Sequence, residues 1–362
     1  MSLTSINESC NSCVKHAEKK LAEYVGVKYA KFTSLGRTAL VISLKALNVH
    51  SGSEVILPSF TCRTVIEAIK YCNAKPVFVD VDPITFNIDP HQIKKSITPK
   101  TKAIVVIHCY GLPADINEIQ EVANAHDIPI IEDAAHALGA EYKNRKIGSF
   151  GNVSVFSFSK NMGASSGGAV VTNSDELADE IEEIFSIITT SKDLGQNKLP
   201  IKHKLVGFGR KYKSFFLPLL SSLKLLKPLT KITAATTEEI PSFFGIDSKI
   251  AAEIAEKLEK IDIKNSRRII KARILTQMLE SLDSDILRLP PKMNDRKHVF
   301  YLYPVKVIDK HGFSHILRKL RRYVYLRSPW KCPYGSEARK LSEQLILLDM
   351  RPTLLNEENP AL

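Results

Sequence analysis

Between residues 36 and 173, short unbroken apolar runs alternate with stretches of helical period. The runs lie at 55–57, 77–79, 103–107, 128–131, 153–158 and 169–171, and the helical stretches at 38–48, 64–72, 115–125 and 174–188. An apolar run without polar alternation suits a strand buried on both faces. Strands of that kind separated by helices predict a doubly wound, mostly parallel α/β sheet. Asp115 and Ser174 stand where helix N-caps are expected. In such a sheet ligands gather beyond the carboxyl ends of the strands, so residues at those ends are the first candidates for function.

With 362 residues and 44% hydrophobic content, the chain is long enough for about two domains, each with its own core. The pattern divides it into a large domain over 1–193, a basic and apolar connecting segment over 194–240, and a smaller α+β domain over 241–362. In the last of these, 246–273 reads as one long helix with Ile250, Ile254, Leu258 and Ile261 at helical spacing, and 299–307 reads as a strand. Neither a secretory leader nor an apolar run of about eighteen residues is visible, which predicts a cytoplasmic protein. Six scattered cysteines fit a reduced protein, and the lone Cys10/Cys13 pair lacks the second pair a zinc site needs, so no metal is expected.

The net charge of +12 is local. Residues 194–231 hold nine lysines and arginines and no acid, leaving +3 for the rest. Lysines there are interleaved with Phe215, Phe216, Leu217, Leu219, Leu220, Leu223, Leu225 and Leu226, a mixture that fits contact of 198–231 with an anionic membrane surface. Pro218 and Pro228 interrupt any helix, which favours a cover near the active site or a subunit interface. The location then extends to the inner membrane face only if the surface contact holds. The segment carries no recognised nucleic-acid reader, so nucleic acid is not expected as a partner.

The chemistry concentrates in EDAAHALGAEY (132–142), in Phe156-Ser157-Phe158-Ser159-Lys160-Asn161, and in the pair Gly167-Gly168. Asp133 directly follows a buried run, and Lys160 sits in a turn rich in small residues. A carboxylate facing a pyridine nitrogen and an amine able to bond an aldehyde are what pyridoxal 5'-phosphate requires of a protein. Gly36-Arg37-Thr38 opens a candidate helix whose free N–H groups suit a phosphate, and Thr38 fits either a phosphate contact or a simple N-cap.

Six ordered blocks resemble the DegT/DnrJ/EryC1/StrS aminotransferases: GRTAL (36–40), EVILPSFTC (54–62), KPVFVDVDPITFNID (75–89), TKAIVVIHCYGLPADI (101–116), the IIEDAAHALGA block, and GSFGNVSVFSFSKN with its trailing glycines. The resemblance implies a fold-type I homodimer that uses pyridoxal 5'-phosphate, with active sites at the subunit interface. It implies that Lys160 is the lysine bonded to the cofactor and that Asp133 partners the pyridine nitrogen. It also puts His136 near the ring hydroxyl, where relatives commonly have glutamine, and Ser157 near the phosphate beside Gly36, Arg37 and Thr38.

Three departures stand out. Only Ser159 separates FSF from Lys160, where relatives usually have three residues. Cys62 occupies a position where some relatives place an aromatic over the cofactor, which leaves Phe60 as the alternative cover. Phe243-Phe244-Gly245-Ile246 replaces the Asn-Tyr-Arg-Met signature that normally reaches the partner's phosphate, and LLDMRP (347–352) replaces Leu-Pro-x-His-Pro.

The resulting expectation is a sugar aminotransferase that moves an amino group from an amino-acid donor, glutamate in most relatives, to a keto group of a nucleotide-linked sugar. The alternative is a non-catalytic or regulatory relative that binds the cofactor or a sugar without turnover. Tyr301, Tyr303, Arg327 and Trp330 are candidate substrate contacts, with Tyr301 and Tyr303 expected on one strand face.

Overall fold

The computed structural model describes residues 3–190, 245–280, 285–320, 324–327, 329–332 and 335–350. The basic segment 194–231, Phe243 and Phe244 lie outside the described residues.

The first part of the chain runs α1 (Leu3–Val25), β1 (Tyr29–Thr33), α2 (Gly36–Ala46), β2 (Glu54–Pro58), α3 (Arg63–Tyr71), β3 (Lys75–Val79), α4 (Pro90–Ser96), β4 (Thr101–Ile107), α5 (Ile116–Asn124), β5 (Ile130–Asp133), β6 (Glu141–Tyr142), β7 (Arg145–Lys146), β8 (Val153–Ser157), β9 (Gly168–Thr172) and α6 (Asp175–Thr190). Seven strands form one sheet in the order β1-β9-β8-β5-β4-β2-β3. β3, β2, β4, β5 and β8 run parallel, while β9 is antiparallel to both β8 and β1.

The reason for the unbroken apolar runs is visible in β4. Ala103, Val105 and Ile107 enter one apolar cluster, while Ile104 and Val106 enter another on the opposite face. α2, α3 and α6 cover the first face, and α1, α4, α5 and the later α7 cover the second. Both faces are therefore dry, and alternation has no role.

The strands and helices expected between 36 and 188 are all present, with ends shifted by one or two residues. Three details differ. The apolar pattern does not mark β1, β6, β7, α1 or α4. α2 opens at Gly36 with Leu35 as its N-cap residue, so Thr38 is not a cap. Asp115 occupies the N-cap position of α5, but its carboxylate makes no cap bond and instead accepts from Arg296 Nη2 at 2.6 Å. Ser174 does cap α6, its hydroxyl accepting from Leu177 N at 3.1 Å.

The later part comprises α7 (Ser248–Glu259), α8 (Ile261–Glu280), β10 (Leu287–Arg288), β11 (Arg296–Lys297), β12 (Tyr303–Val307), α9 (Lys310–Leu320), β13 (Val324–Arg327), α10 (Ser336–Gln344) and β14 (Leu345–Met350). An antiparallel sheet of order β10-β12-β14-β13 packs on α8 and α9. β11 pairs with β6 and so ties this part to the first.

The single helix expected at 246–273 is two helices broken at Lys260. α7 buries Ala251, Ile254 and Leu258 against the large sheet's core, whereas α8 buries Ala272, Leu275 and Leu279 in the second core. Two cores pull one periodic sequence in different directions, and no proline or glycine announces the break. The strand expected from 299 begins only at Tyr303, because Phe300 takes a positive φ of 46° and Val299 and Tyr301 instead bond the backbone of Gly111 and Tyr110.

Candidate active site

β5 delivers Asp133 at its carboxyl end, buried, with one carboxylate oxygen accepting from Ala135 N at 3.0 Å. Its neighbour Glu132 is fully buried and performs a different task. Glu132 accepts from Gly148 N (3.0 Å), Phe150 N (2.7 Å), Gly151 N (2.7 Å), Ser154 Oγ (3.0 Å) and His108 Nε2 (3.2 Å). Since His108 Nδ1 accepts from Ala114 N, its Nε2 carries the proton. Burial pushes the Glu132 carboxyl up, but His108 and the loop N–H groups outweigh it and hold the group below the usual range.

β8, the next strand in the sheet, ends at Ser157, and Lys160 follows in a tight turn. Phe158 N donates to Gly167 O (3.0 Å), Lys160 N to Ser157 O (3.3 Å) and Ala164 N to Phe158 O (3.0 Å). Lys160 and Asp133 line one cavity together with Cys62, Ile107, Ala135, His136 and Trp330. The short connection after FSF therefore still brings the amine and the carboxylate to one space.

The glycine pair explains how α2 reaches this place. Gly167 has φ of 103°, and a Cβ at Gly168 would lie 2.5 Å from Gly36 N. A Cβ at Gly36 would in turn lie 2.8 Å from Ser157 Cβ. Only with both positions bare can the first turn of α2 pack against the paired ends of β8 and β9. Leu35 offers no side-chain cap, Ser34 Oγ lies 3.3 Å from Thr38 Oγ1, and Arg37 Nε is buried without a hydrogen-bond partner. Ser157, not the exposed Ser159, is the hydroxyl beside this turn.

His136 lies in an aromatic stack, with Tyr301 at 4.5 Å, Trp330 at 5.6 Å and Tyr110 at 5.9 Å between ring centroids. Burial and then the charge of Lys160 push its pKa well down, so the ring is neutral, and its Nδ1 has no partner. Phe60 is fully buried behind Trp330 and does not line the cavity, so it is no cover for a ligand there. Cys62 does line it.

The other sequence candidates separate. Tyr301 stacks on His136, whereas Tyr303 is core and its hydroxyl lies 2.7 Å from Thr276 Oγ1, so the two do not share a face. Arg327 is exposed and pairs with Asp349 at 2.6 Å on the adjacent strand, away from the cavity lining. Among the described residues no group of His, Cys, Asp and Glu is arranged to hold a metal, and the described cysteines are free.

The DegT/DnrJ/EryC1/StrS aminotransferase family model matches residues 9–217. The chain belongs to this family. It is 30% identical over 361 residues to a pleiotropic regulatory protein of Geobacillus stearothermophilus, covering 95% of this chain and 86% of that one. It is 30% identical over 355 residues to dTDP-3-amino-3,6-dideoxy-alpha-D-galactopyranose transaminase of Aneurinibacillus thermoaerophilus, covering 94% and 85%. A shorter match of 163 residues, 44% of each chain, is 45% identical to GDP-perosamine synthase of Caulobacter vibrioides. Among solved structures, DesV of S. venezuelae superposes with a TM-score of 0.73 at 26% identity, covering 95% of this chain and 86% of that one. NtdA of Bacillus subtilis with bound PMP superposes at 0.70 and 25%, covering 94% and 73%.

The protein is thus a fold-type I member of an aminotransferase family that uses pyridoxal 5'-phosphate. The donor set fits that cofactor: a carboxylate and an amine share one space, and His136 Nδ1 and Arg37 Nε are buried without hydrogen-bond partners, while Arg37 Nη2 lies 3.9 Å from Glu67. Residues that the sequence did not single out include Ile107 and Ala135, which line the cavity as apolar walls, and the basic residues of α7 and α8 beside the Lys160 turn. The blocks EDAAHALGA and TKAIVVIHCYGLPADI contained Ala135 and Ile107; nothing in the sequence marked the basic residues.

Proposed function

We propose that this aminotransferase moves an amino group from an amino acid, glutamate by preference, to a keto group of a nucleotide-linked sugar, with Lys160 and Asp133 at the centre of the site. The meeting of these two side chains in one cavity, from the ends of the neighbouring strands β5 and β8, carries the reading. When bound, pyridoxal 5'-phosphate supplies an aldehyde carbon that carries the amino group and a ring that accepts electrons.

The chain's own residues supply the rest. Asp133, steadied by Ala135 N, would hold the pyridine nitrogen. The first turn of α2, with Gly36, Arg37 and Thr38, together with Ser157, surrounds the phosphate, where a helix N-terminus stabilises an anion by about 0.3–1 kcal/mol. His136, neutral and with Nδ1 unpartnered, would meet the ring hydroxyl. Lys160 would hold the cofactor at rest, and its Nζ, once freed by the donor, would be the base placed to move a proton between the donor's Cα and the cofactor's former aldehyde carbon, work that needs only short reach. Trp330 in the cavity lining and Tyr301, stacked on His136, would be the contacts for a sugar. A homodimer completes this reading, to be checked by light scattering in solution.

The test is spectroscopic and chemical. Purified protein given pyridoxal 5'-phosphate is expected to show a visible absorbance that Lys160→Ala abolishes, to lose it on adding glutamate, and to regain it on adding a keto sugar nucleotide. A protein that takes up no cofactor would sink the proposal. Uptake without exchange with any amino donor would favour the second reading, a regulatory relative, which the name of the Geobacillus protein makes concrete.

A further inference from the structure

The turn that carries Lys160 has few partners of its own. After Lys160, the carbonyls of Asn161, Met162 and Gly163 belong to no strand or helix, and Gly163 adopts φ of 69°. A buried or half-buried carbonyl must find a donor elsewhere. Here three successive carbonyls find three cationic donors: Arg268 Nη2 bonds Asn161 O at 2.8 Å, Lys264 Nζ bonds Met162 O at 2.8 Å, and Lys257 Nζ bonds Gly163 O at 2.5 Å. Glu253 continues the series, accepting from Ser165 N at 3.2 Å and Ser165 Oγ at 2.5 Å.

The side chain of Asn161 is tied in as well. Its Nδ2 donates to Leu138 O at 2.9 Å, and Arg268 Nη1 bonds its Oδ1. Asn265 Nδ2 reaches the same Leu138 O at 2.9 Å, and Leu138 lies in the block that contains Asp133. Both walls of the cavity are thereby joined through α8.

Grouping three cations costs stability. Burial, then the charges of Arg268 and Lys257, push Lys264 down to about 8, and burial pushes Arg268 down to about 10. Among the described residues only Glu253, 2.9 Å from Lys257, pairs with the group directly, while Asp349 acts on Arg268 at longer range. Charge-assisted bonds are roughly twice as strong as neutral ones, and a local cost of this kind aimed at one turn belongs to a site whose geometry must be fixed.

We propose that Lys257, Lys264 and Arg268 form a bracket of positioning residues that fixes the short turn 161–163 and so holds Lys160 at bonding distance from the cofactor's aldehyde. The proposal rests on Lys160 being the lysine bonded to the cofactor. Lys160 is the group the bracket serves; cofactors that form no bond to it do not need the bracket.

That difference supplies the test. Wild type, Lys264→Met, Lys264→Arg and Lys257→Met are loaded with pyridoxal phosphate and reduced with borohydride, and the modified lysine is quantified by peptide mass spectrometry. Binding of pyridoxamine phosphate, which requires no bond to Lys160, is measured in parallel by calorimetry. Lys264→Met and Lys257→Met are expected to slow trapping at Lys160 by about tenfold, since misplacement of about 1 Å costs on the order of a hundredfold. Pyridoxamine phosphate affinity stays within about twofold, and Lys264→Arg restores trapping. Unchanged trapping in both Met variants overturns the bracket, as does a parallel loss of both measurements, which marks a merely structural role. Failure of the wild type to become modified at Lys160 instead overturns the assignment of that lysine.

Discussion

At the level of single residues, adjacent carboxylates in one strand have opposite duties. Glu132 points to five donors of the protein itself and is spent on the fold, while Asp133 keeps an oxygen for the cavity. Glu132→Gln places an amide among donors and leaves some of them unpaired, so a loss of about 2–4 kcal/mol is expected in urea unfolding. The pH dependence has a definite sign. The folded Glu132 group sits below its ordinary value of 4.5, so its stabilisation is fully present above that pH and is lost as pH falls through the folded value. Acid unfolding of Glu132→Gln is therefore expected to be shallower than that of wild type. His136→Leu, which removes the open Nδ1, is expected to weaken pyridoxamine phosphate binding by about 1 kcal/mol, roughly fivefold, by calorimetry. These residues were only partly legible. EDAAHALGA brought Asp133 and His136 forward together, but the fully buried role of Glu132 depends on the 148–151 loop, which the sequence places sixteen or more residues away.

Among elements, the first turn of α2 and the first turn of α10 both owe their position to contacts distant in sequence. α2 lies where Gly36, Ser157 and Gly168 leave no room for a methyl group. Gly168→Ala is expected to displace that turn, with a loss of about 1–3 kcal/mol in thermal unfolding and weaker cofactor phosphate binding. The N-terminus of α10 is capped by a residue of β3's end: Asp80 accepts from Ser336 N (2.8 Å), Ser336 Oγ (2.9 Å), Glu337 N (3.1 Å) and Ala338 N (3.3 Å). Burial raises the Asp80 carboxyl, yet these bonds outweigh it and hold it below its usual value. Just before α10, Cys332 N bonds Ser342 Oγ at 2.9 Å, and Trp330 reaches the cavity. Asp80→Ala is expected to free this segment and to shift Trp330 emission to the red, readable because the chain has a single tryptophan. The sequence gives no sign of this cap, since a helix normally draws its cap from its own flank.

Across the whole molecule, the site is assembled from three regions: the strand ends supply Asp133 and Lys160, α7 and α8 hold the turn behind Lys160, and the segment before α10 closes the cavity with Trp330. Binding of pyridoxal phosphate is expected to quench Trp330 fluorescence in wild type, and Asp80→Ala is expected to weaken that quenching. No described helix is long and apolar enough to cross a membrane. Apolar runs buried on two faces determined the parallel sheet, and ordered short blocks determined the family and the cofactor, because both are properties of contiguous residues. What the sequence alone left undecided was whether Lys160 meets Asp133 after so short a connection, which aromatic borders the cavity, and where the helix after 246 breaks. Tertiary structure decided these, because each depends on residues far apart in sequence: Lys264 and Arg268 against the 161–163 turn, Trp330 beside Cys62, and two separate cores competing for one helical stretch.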